Sequence, residues 1–261
     1  MTIPTSTAST ASPAPLHRFE AGGYAFVEGN FRYSQGVIAL PGHRLRRVRF
    51  ARPRPMAEGF AAIASHLVDA KRPLTALAAC ELRCVRPYGL AGFDEFNRAY
   101  GKTLGEWGLQ HDGLNPVARS NVAPAYDPPQ EQCVYAFTFA LPGPAGASTE
   151  FVVAGSGEWP ESQLFPDGII APGDVRPAGI HRKAGFVLGT MRERVAALGG
   201  EWSAITASNV YTVHDFHRAI APLLGPSGLV NANLTWQVCR PPVEGLDFEM
   251  DLRCVLEEFV I

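Results

Sequence analysis

The sequence predicts an α+β fold made of two similar units in tandem, and three observations support this. Predicted strands and helices follow the order β-β-α-β-α-β-β in the first half, and a closely similar order recurs in the second. In each half a double proline, Pro128-Pro129 or Pro241-Pro242, separates the last two strands. A connector of small residues, 142–149, separates the halves. Duplication of one unit would explain all three.

The elements of the first half follow from the spacing of its apolar residues. Phe60, Ile63 and Leu67 recur at helical spacing, whereas the strands are alternating or continuously apolar runs. The predicted strands are 31–40, 43–50, 74–85, 117–125 and 133–141, and the predicted helices are 56–70 and 92–108. The four arginines of the second strand indicate a solvated basic face, because no aromatic stacking platform for nucleic acid lies among them.

The second half repeats this pattern after the connector. The first of its helices ends at Gly199-Gly200, and the strand that follows is rich in β-branched residues. The predicted strands are 151–157, 203–213, 229–238 and 247–256, and the predicted helices are 180–198 and 215–224. We therefore expect a flexible tail over 1–18, rich in Ser, Thr, Ala and Pro, followed by domains at 19–141 and 150–261.

Composition restricts the classes of function and the compartment. A chain of 261 residues with 46% apolar residues can bury a sizeable core. A net charge of −2 gives no general attraction to nucleic acid or anionic membranes, and no apolar run is long enough to span a bilayer. The five cysteines are odd in number and form no zinc-site spacing, which indicates a reducing, cytoplasmic compartment.

Several short segments, taken in order, resemble the RidA (YjgF-type) superfamily. They are YSQGV at 33–37, PVARSNV at 116–122, GSG at 155–157, the helix end and strand at 197–215, and DFEMDLR at 247–253. The resemblance implies a chorismate-mutase-like fold whose sheets pack into a three-fold barrel on assembly. It also implies sites in clefts between units, and a homo-oligomer in which a trimer of two-domain chains is favoured.

The resemblance implies two catalytic groups. In RidA-type proteins an arginine of the Pro-Ala-Arg strand holds a substrate carboxylate, to which its planar guanidinium is matched, and a glutamate of the last strand positions water. Together they hydrolyse an enamine or imine without a metal or other cofactor. The matching residues here are Arg119 in the first half and Glu249 in the second. The corresponding glutamate position falls near Val134 and the corresponding arginine position near Ala232, so neither half has both groups.

Two explanations of this division stay open. Arg119 and Glu249 could meet across an interface between copies of the unit and form one composite site. Alternatively, the site could be rebuilt for another substrate, with one copy purely structural.

Further residues are candidates for substrate binding around these two groups. Tyr33 and Ser34 lie near a strand start, and Asn121 and Tyr135 lie in predicted strands of the first half. Glu158 and Trp159 follow the Gly-Ser-Gly turn, where they could line a cleft. The structural alternative for each is an edge, paired or solvated side chain.

The leading functional hypothesis is a deaminase-type hydrolase acting on a small carboxylate-bearing enamine or imine, in amino-acid or aromatic-acid catabolism. One alternative is a chorismatase-like enzyme, because residues 239–251 are similar to the closing strands of chorismatases, with Glu249 as the acid. Another is a non-catalytic module that binds small carboxylates or stabilises an assembly. The sequence has no Walker loop, Gly-x-Gly-x-x-Gly motif or Gly-x-Ser-x-Gly motif, so nucleotide-dependent and triad-hydrolase functions have no support.

Overall fold

Two β-sheets and three long helices form the frame of the protein in a computed structural model, which describes residues 14–29, 33–144, 146, 150–160 and 162–261. The helices are α1 (Met56–Asp69), α2 (Leu90–Glu106) and α3 (Pro177–Ala197). The first seven strands are β1 (Leu16–Phe19), β2 (Tyr24–Val27), β3 (Gly36–Ala39), β4 (His43–Pro55), β5 (Leu77–Arg83), β6 (Ala118–Pro124) and β7 (Cys133–Pro142). The others are β8 (Phe151–Gly157), β9 (Ala207–Tyr211), β10 (Leu234–Gln237), β11 (Cys239–Arg240), β12 (Glu249–Cys254) and β13 (Glu257–Val260).

Four strands of each sheet follow the same order. The seven-stranded sheet runs β1-β2-β3-β8-β12-β9-β10, and the six-stranded sheet runs β11-β6-β5-β7-β4-β13. The segments β6-β5-β7-β4 and β10-β9-β12-β8 correspond, because each has one parallel pair followed by two antiparallel pairs. This is the order that duplication would produce. The duplication itself and the domains at 19–141 and 150–261 stay predictions.

Each sheet also takes edge strands from the other half of the chain. β3 pairs with β8 in the seven-stranded sheet, and β13 pairs in parallel with β4 in the six-stranded sheet. A turn after β3 redirects the chain between sheets, and Gly42 in it has φ 77°, a conformation that glycine adopts without strain. The sheets are open within the described residues, so the three-fold barrel and the trimer stay predictions.

The helices cover the sheets with the apolar faces that the sequence predicts. α1 buries Phe60, Ile63 and Leu67 in one core cluster with the six-stranded sheet. α3 buries Val187 and Met191 in a second cluster with β8 and β12. Within the described part of the chain, no helix is both long and apolar enough to cross a bilayer.

The amino-terminal region differs from the predicted tail. β1 begins at Leu16 and forms an antiparallel hairpin with β2, which continues the seven-stranded sheet through β3. The tail prediction over 1–18 is therefore wrong from Leu16 onward, and residues 1–13 lie outside the described residues. The physical reason is that buried aromatic residues at Phe19, Tyr24 and Phe26 hold the hairpin to the core.

Residues 215–224 do not form the single regular helix that the sequence predicts. The segment consists of three short pieces: His217–Ala219, the wider π-type turn Ile220–Leu224, and Gly225–Ser227. Pro222 and Pro226 lack the amide hydrogen that a regular helix needs, and Gly228 ends the segment in the left-handed conformation. The neighbouring predicted strands 203–213 and 229–238 shorten to β9 and β10, because each begins with a 3₁₀ turn.

Candidate active site

One cavity of about 440 Å³ contains residues from both halves of the chain. Its wall includes β6 of the six-stranded sheet, β8 and β12 of the seven-stranded sheet, the start of α2 and the loop after β8. The residues of its lining include Tyr33, Phe93, Arg119, Asn121, Gly155, Trp159 and Glu249. The cavity therefore brings the predicted catalytic pair, Arg119 and Glu249, together within a single chain. A composite site does not require a second copy of the chain.

Arg119 lies on β6 and is only 3% exposed. Four aromatic rings surround its guanidinium carbon, with ring centroids at 4.7–5.6 Å; they belong to Tyr33, Phe93, Phe96 and Tyr100. Aromatic faces attract a cation, and their apolar bodies exclude water from it. A carboxylate that reaches this guanidinium meets a fixed, weakly hydrated positive charge.

Glu249 enters the cavity from the other sheet, at the start of β12. It pairs with Gly157 on β8 and with Tyr211 on β9, and its side chain is buried. Its carboxylate lies over Gly155, where a β-carbon would collide with the Glu249 Oε1 atom and would lie 3.3 Å from the Ser120 Cα atom. Glycine at 155 therefore makes room for the carboxylate between the two sheets.

The surroundings of Glu249 favour its protonated form. Burial raises the pKa of the Glu249 carboxyl well above its usual value, and the negative charges of Asp251 and Glu158 raise this pKa further. Arg119 and Arg194 act in the opposite direction on the same pKa. A buried carboxylic acid near neutral pH can donate a proton to a bound molecule, and afterwards its carboxylate can accept one.

Asp251, two residues further along β12, belongs to a separate buried network. Its carboxylate accepts hydrogen bonds from Asn209 Nδ2 at 2.8 Å and from the Tyr211 hydroxyl at 2.7 Å. Asp251 does not line the cavity. Its negative charge raises the pKa of Glu249.

Of the predicted binding residues, Tyr33 and Asn121 line the cavity and Ser34 does not. Ser34 is fully buried, and its backbone N–H and hydroxyl donate to the carbonyls of Val117 and Pro116. These bonds join the strand region before β3 to the start of β6. Ser34 therefore holds the two sheets together beside Tyr33.

The structure places Tyr135 and Glu158 outside the cavity lining as well. The Tyr135 ring, on β7, lies 4.0 Å from the guanidinium carbon of Arg83. Glu158 is fully buried, pairs with Lys183 Nζ at 3.0 Å, and accepts the backbone N–H groups of Asp247 and Phe248. Glu158 therefore fixes the segment that leads into β12 and does not line the cleft as predicted.

Trp159, a cleft candidate from the sequence together with Glu158, does line the cavity. Sequence reasoning missed the aromatic wall as part of the site. Phe93, Phe96 and Tyr100 of α2 had the helical spacing of ordinary core residues. Their spacing does reveal a shared helix face. Only the packing of α2 beside β6 places that face around Arg119.

Solved structures with partial likeness to this chain have low sequence identity. A chorismatase has a TM-score of 0.41 at 13% identity, over 93% of this chain and 80% of the chorismatase. A cyanuric acid hydrolase from A. caulinodans has a TM-score of 0.40 at 12% identity, over 84% of this chain and 69% of that structure.

Sequence comparisons give a closer match. The 2-amino-5-chloromuconate deaminase of Comamonas testosteroni is 41% identical over 245 residues, covering 93% of this chain and 98% of that protein. The family model described as 2-aminomuconate deaminase CnbZ matches residues 16–259, which include both Arg119 and Glu249. The wider resemblance to RidA-type proteins stays a prediction. The chain belongs to the 2-aminomuconate deaminase CnbZ family.

Proposed function

We propose that this protein is a hydrolytic deaminase of 2-aminomuconate or a closely related amino-diene diacid. The observation that carries the proposal is the meeting of Arg119 and Glu249 in one cavity of about 440 Å³. Membership of the deaminase family and the name of the 41% identical relative supply the class of substrate. The cavity supplies one group for a carboxylate and one for proton transfer.

The reaction adds one water and releases one ammonia. The enamine first takes a proton on carbon and becomes an iminium ion. The oxygen of water bonds to the iminium carbon and loses a proton, which gives a carbinolamine. A proton then moves to its nitrogen, and the carbon–nitrogen bond breaks as ammonia leaves and the hydroxyl loses its proton to become the carbonyl. A 2-oxo acid, or its enol tautomer, remains.

Arg119 and Glu249 have different tasks in this sequence. Arg119 holds the carboxylate next to the amino-bearing carbon, because a buried guanidinium surrounded by rings attracts that anion strongly. Glu249 in its acid form delivers the proton to the enamine carbon, and its carboxylate then takes a proton from the attacking water. The elevated pKa of Glu249 suits the first of these steps.

Ammonia release from 2-aminomuconate by the purified protein tests the proposal. We expect stoichiometric ammonia, and strongly reduced rates for Glu249→Gln. The absence of ammonia from 2-aminomuconate and its 5-chloro derivative would refute the proposal. Pyruvate release from chorismate would favour the chorismatase alternative, and binding of the diacid without turnover would favour the binding-module alternative.

A further inference from the structure

We propose that Asn121 and Trp159 bind the second carboxylate of a dicarboxylate substrate whose first carboxylate is held by Arg119. This inference rests on the proposed function, because it names the part of the site that selects diacids. Two residues that line the cavity and have buried hydrogen-bond donors support it.

Asn121 supplies the first donor. The residue is 3% exposed, lies on β6 and lines the cavity. Its Nδ2 atom is buried and has no hydrogen-bond partner among the residues that the structure describes. A buried amide donor without a partner costs free energy, and a bound anion would remove that cost.

A relay of hydrogen bonds sets the orientation of this amide. The Tyr88 hydroxyl donates to Gln132 Oε1 at 2.6 Å, and Gln132 Nε2 donates to Asn121 Oδ1 at 3.1 Å. Burial raises the pKa of the Tyr88 phenol to about 12, so it keeps its proton at neutral pH. Because the relay occupies the oxygen of Asn121, the side chain offers its Nδ2 donor to a ligand.

Trp159 supplies the second donor from the loop after β8. Its indole Nε1 is buried and lacks a hydrogen-bond partner within the described ranges, although the residue lines the cavity. The indole ring packs edge-on against Phe165, with ring centroids 5.5 Å apart. This packing fixes the ring, and an indole N–H can only donate a hydrogen bond.

The spacing on β6 matches a diacid of the proposed size. Arg119 and Asn121 are two residues apart on one strand, so their side chains leave the same face about 6.6 Å apart. This separation is comparable with that of the two carboxylates in an extended six-carbon diene. One rigid strand therefore presents a positive charge and an amide donor at the spacing of the two ends of a muconate.

Binding of two non-reactive probes tests the inference separately from turnover. Trans,trans-muconate and sorbate share the six-carbon diene, but sorbate has only one carboxylate. We expect the wild-type protein to bind muconate at least about tenfold more tightly than sorbate by calorimetry, since a hydrogen bond to a charged group has roughly this effect. Equal affinities for the two probes would overturn the inference.

Three variants with folding checked by circular dichroism sharpen the test. Asn121→Asp keeps the acceptor for Gln132 but replaces the free donor with a carboxylate, so we expect muconate to lose at least about tenfold in affinity while sorbate changes little. Trp159→Phe removes only the N–H donor and should weaken muconate selectively by a smaller factor. Asn231→Asp adds the same charge at an exposed position outside the cavity lining and serves as the control.

The outcomes separate this inference from the proposed function. An unchanged ratio of muconate to sorbate affinity in both Asn121→Asp and Trp159→Phe would overturn it even if the protein deaminates 2-aminomuconate. Conversely, if no ammonia is released but both variants selectively lose muconate, the second-carboxylate site stands and the proposed deaminase function fails.

Discussion

The two sides of the cavity favour different ionisation states, a cation at Arg119 and a neutral acid at Glu249. On the β6 side, Arg119 is buried but surrounded by aromatic rings that favour a cation. On the β12 side, burial is the main cause of the raised pKa of Glu249, and the negative charges of Asp251 and Glu158 raise it further. Burial therefore favours the neutral form of Glu249, whereas the rings around Arg119 favour a cation there. In the proposed function, the first side binds an anion and the second side transfers a proton.

The largest expected effect comes from removing that proton. Glu249→Gln keeps the volume and a hydrogen-bond donor but cannot exchange a proton. We expect kcat for 2-aminomuconate to fall by about 10²–10⁴. Steady-state ammonia release should show this, whereas muconate affinity should change little. A variant with near wild-type kcat would remove Glu249 from the chemistry.

A substitution at Arg119 tests the β6 side of the cavity. Arg119→Lys keeps the positive charge but loses the planar fork that contacts a carboxylate at two points. We expect kcat/KM to fall by about 10–10² because one charge-assisted hydrogen bond is lost. Arg18→Lys, at an exposed arginine outside the cavity lining, is the matched control and should leave kcat/KM unchanged. Full activity in Arg119→Lys would mean that charge alone suffices.

A substitution at Gly155 tests how closely β8, Glu249 and the β6 backbone pack together. A methyl group at Gly155→Ala would collide with the Glu249 carboxylate and crowd the β6 backbone at Ser120. We expect a loss of about 1–3 kcal/mol in the free energy of unfolding, together with reduced activity. Gly189→Ala on α3, where a β-carbon meets no atom within 4 Å, is the control in denaturant titrations. Equal stability of the two variants would argue against this packing.

The smallest expected effect is on stability as a function of pH. Because the folded-state pKa of Glu249 is raised, its contribution is fully present below the unfolded pKa of about 4.3 and is lost as pH rises through the folded pKa. Glu249→Gln should therefore have a higher Tm than the wild type at pH 8, by a few degrees, and the difference should shrink towards pH 4. Thermal melts across this range measure it, and a constant difference would contradict the raised pKa.

Much of the fold was predictable because it rests on local patterns. Apolar spacing predicted the bounds of α1, α3 and β7 to within a few residues. It predicted the start of β4 but not its extension to Pro55. The hairpin β1–β2 was missed because it lies beside a low-complexity start, and its stability comes from long-range aromatic packing. The irregular segment 217–227 shows proline overriding a helical pattern.

The site was predictable in its two central residues and not in its surroundings. Motif resemblance selected Arg119 and Glu249, and both line the cavity. Ser34, Tyr135 and Glu158 were candidates too and lie outside the lining, because neither a motif nor a strand position indicates which way a side chain points after packing. Trp159, a candidate beside Glu158, does line the cavity.

By itself, the sequence predicted much of the element order, two similar halves and the division of an arginine and a glutamate between them. These follow from local hydrophobic spacing and residue identity. Only the tertiary structure decided that the two groups share one cavity within one chain, that aromatic rings enclose Arg119, and that acidic neighbours surround Glu249. The first of these joins residues more than a hundred positions apart, and the energies of all three depend on distance and burial, which sequence spacing does not specify.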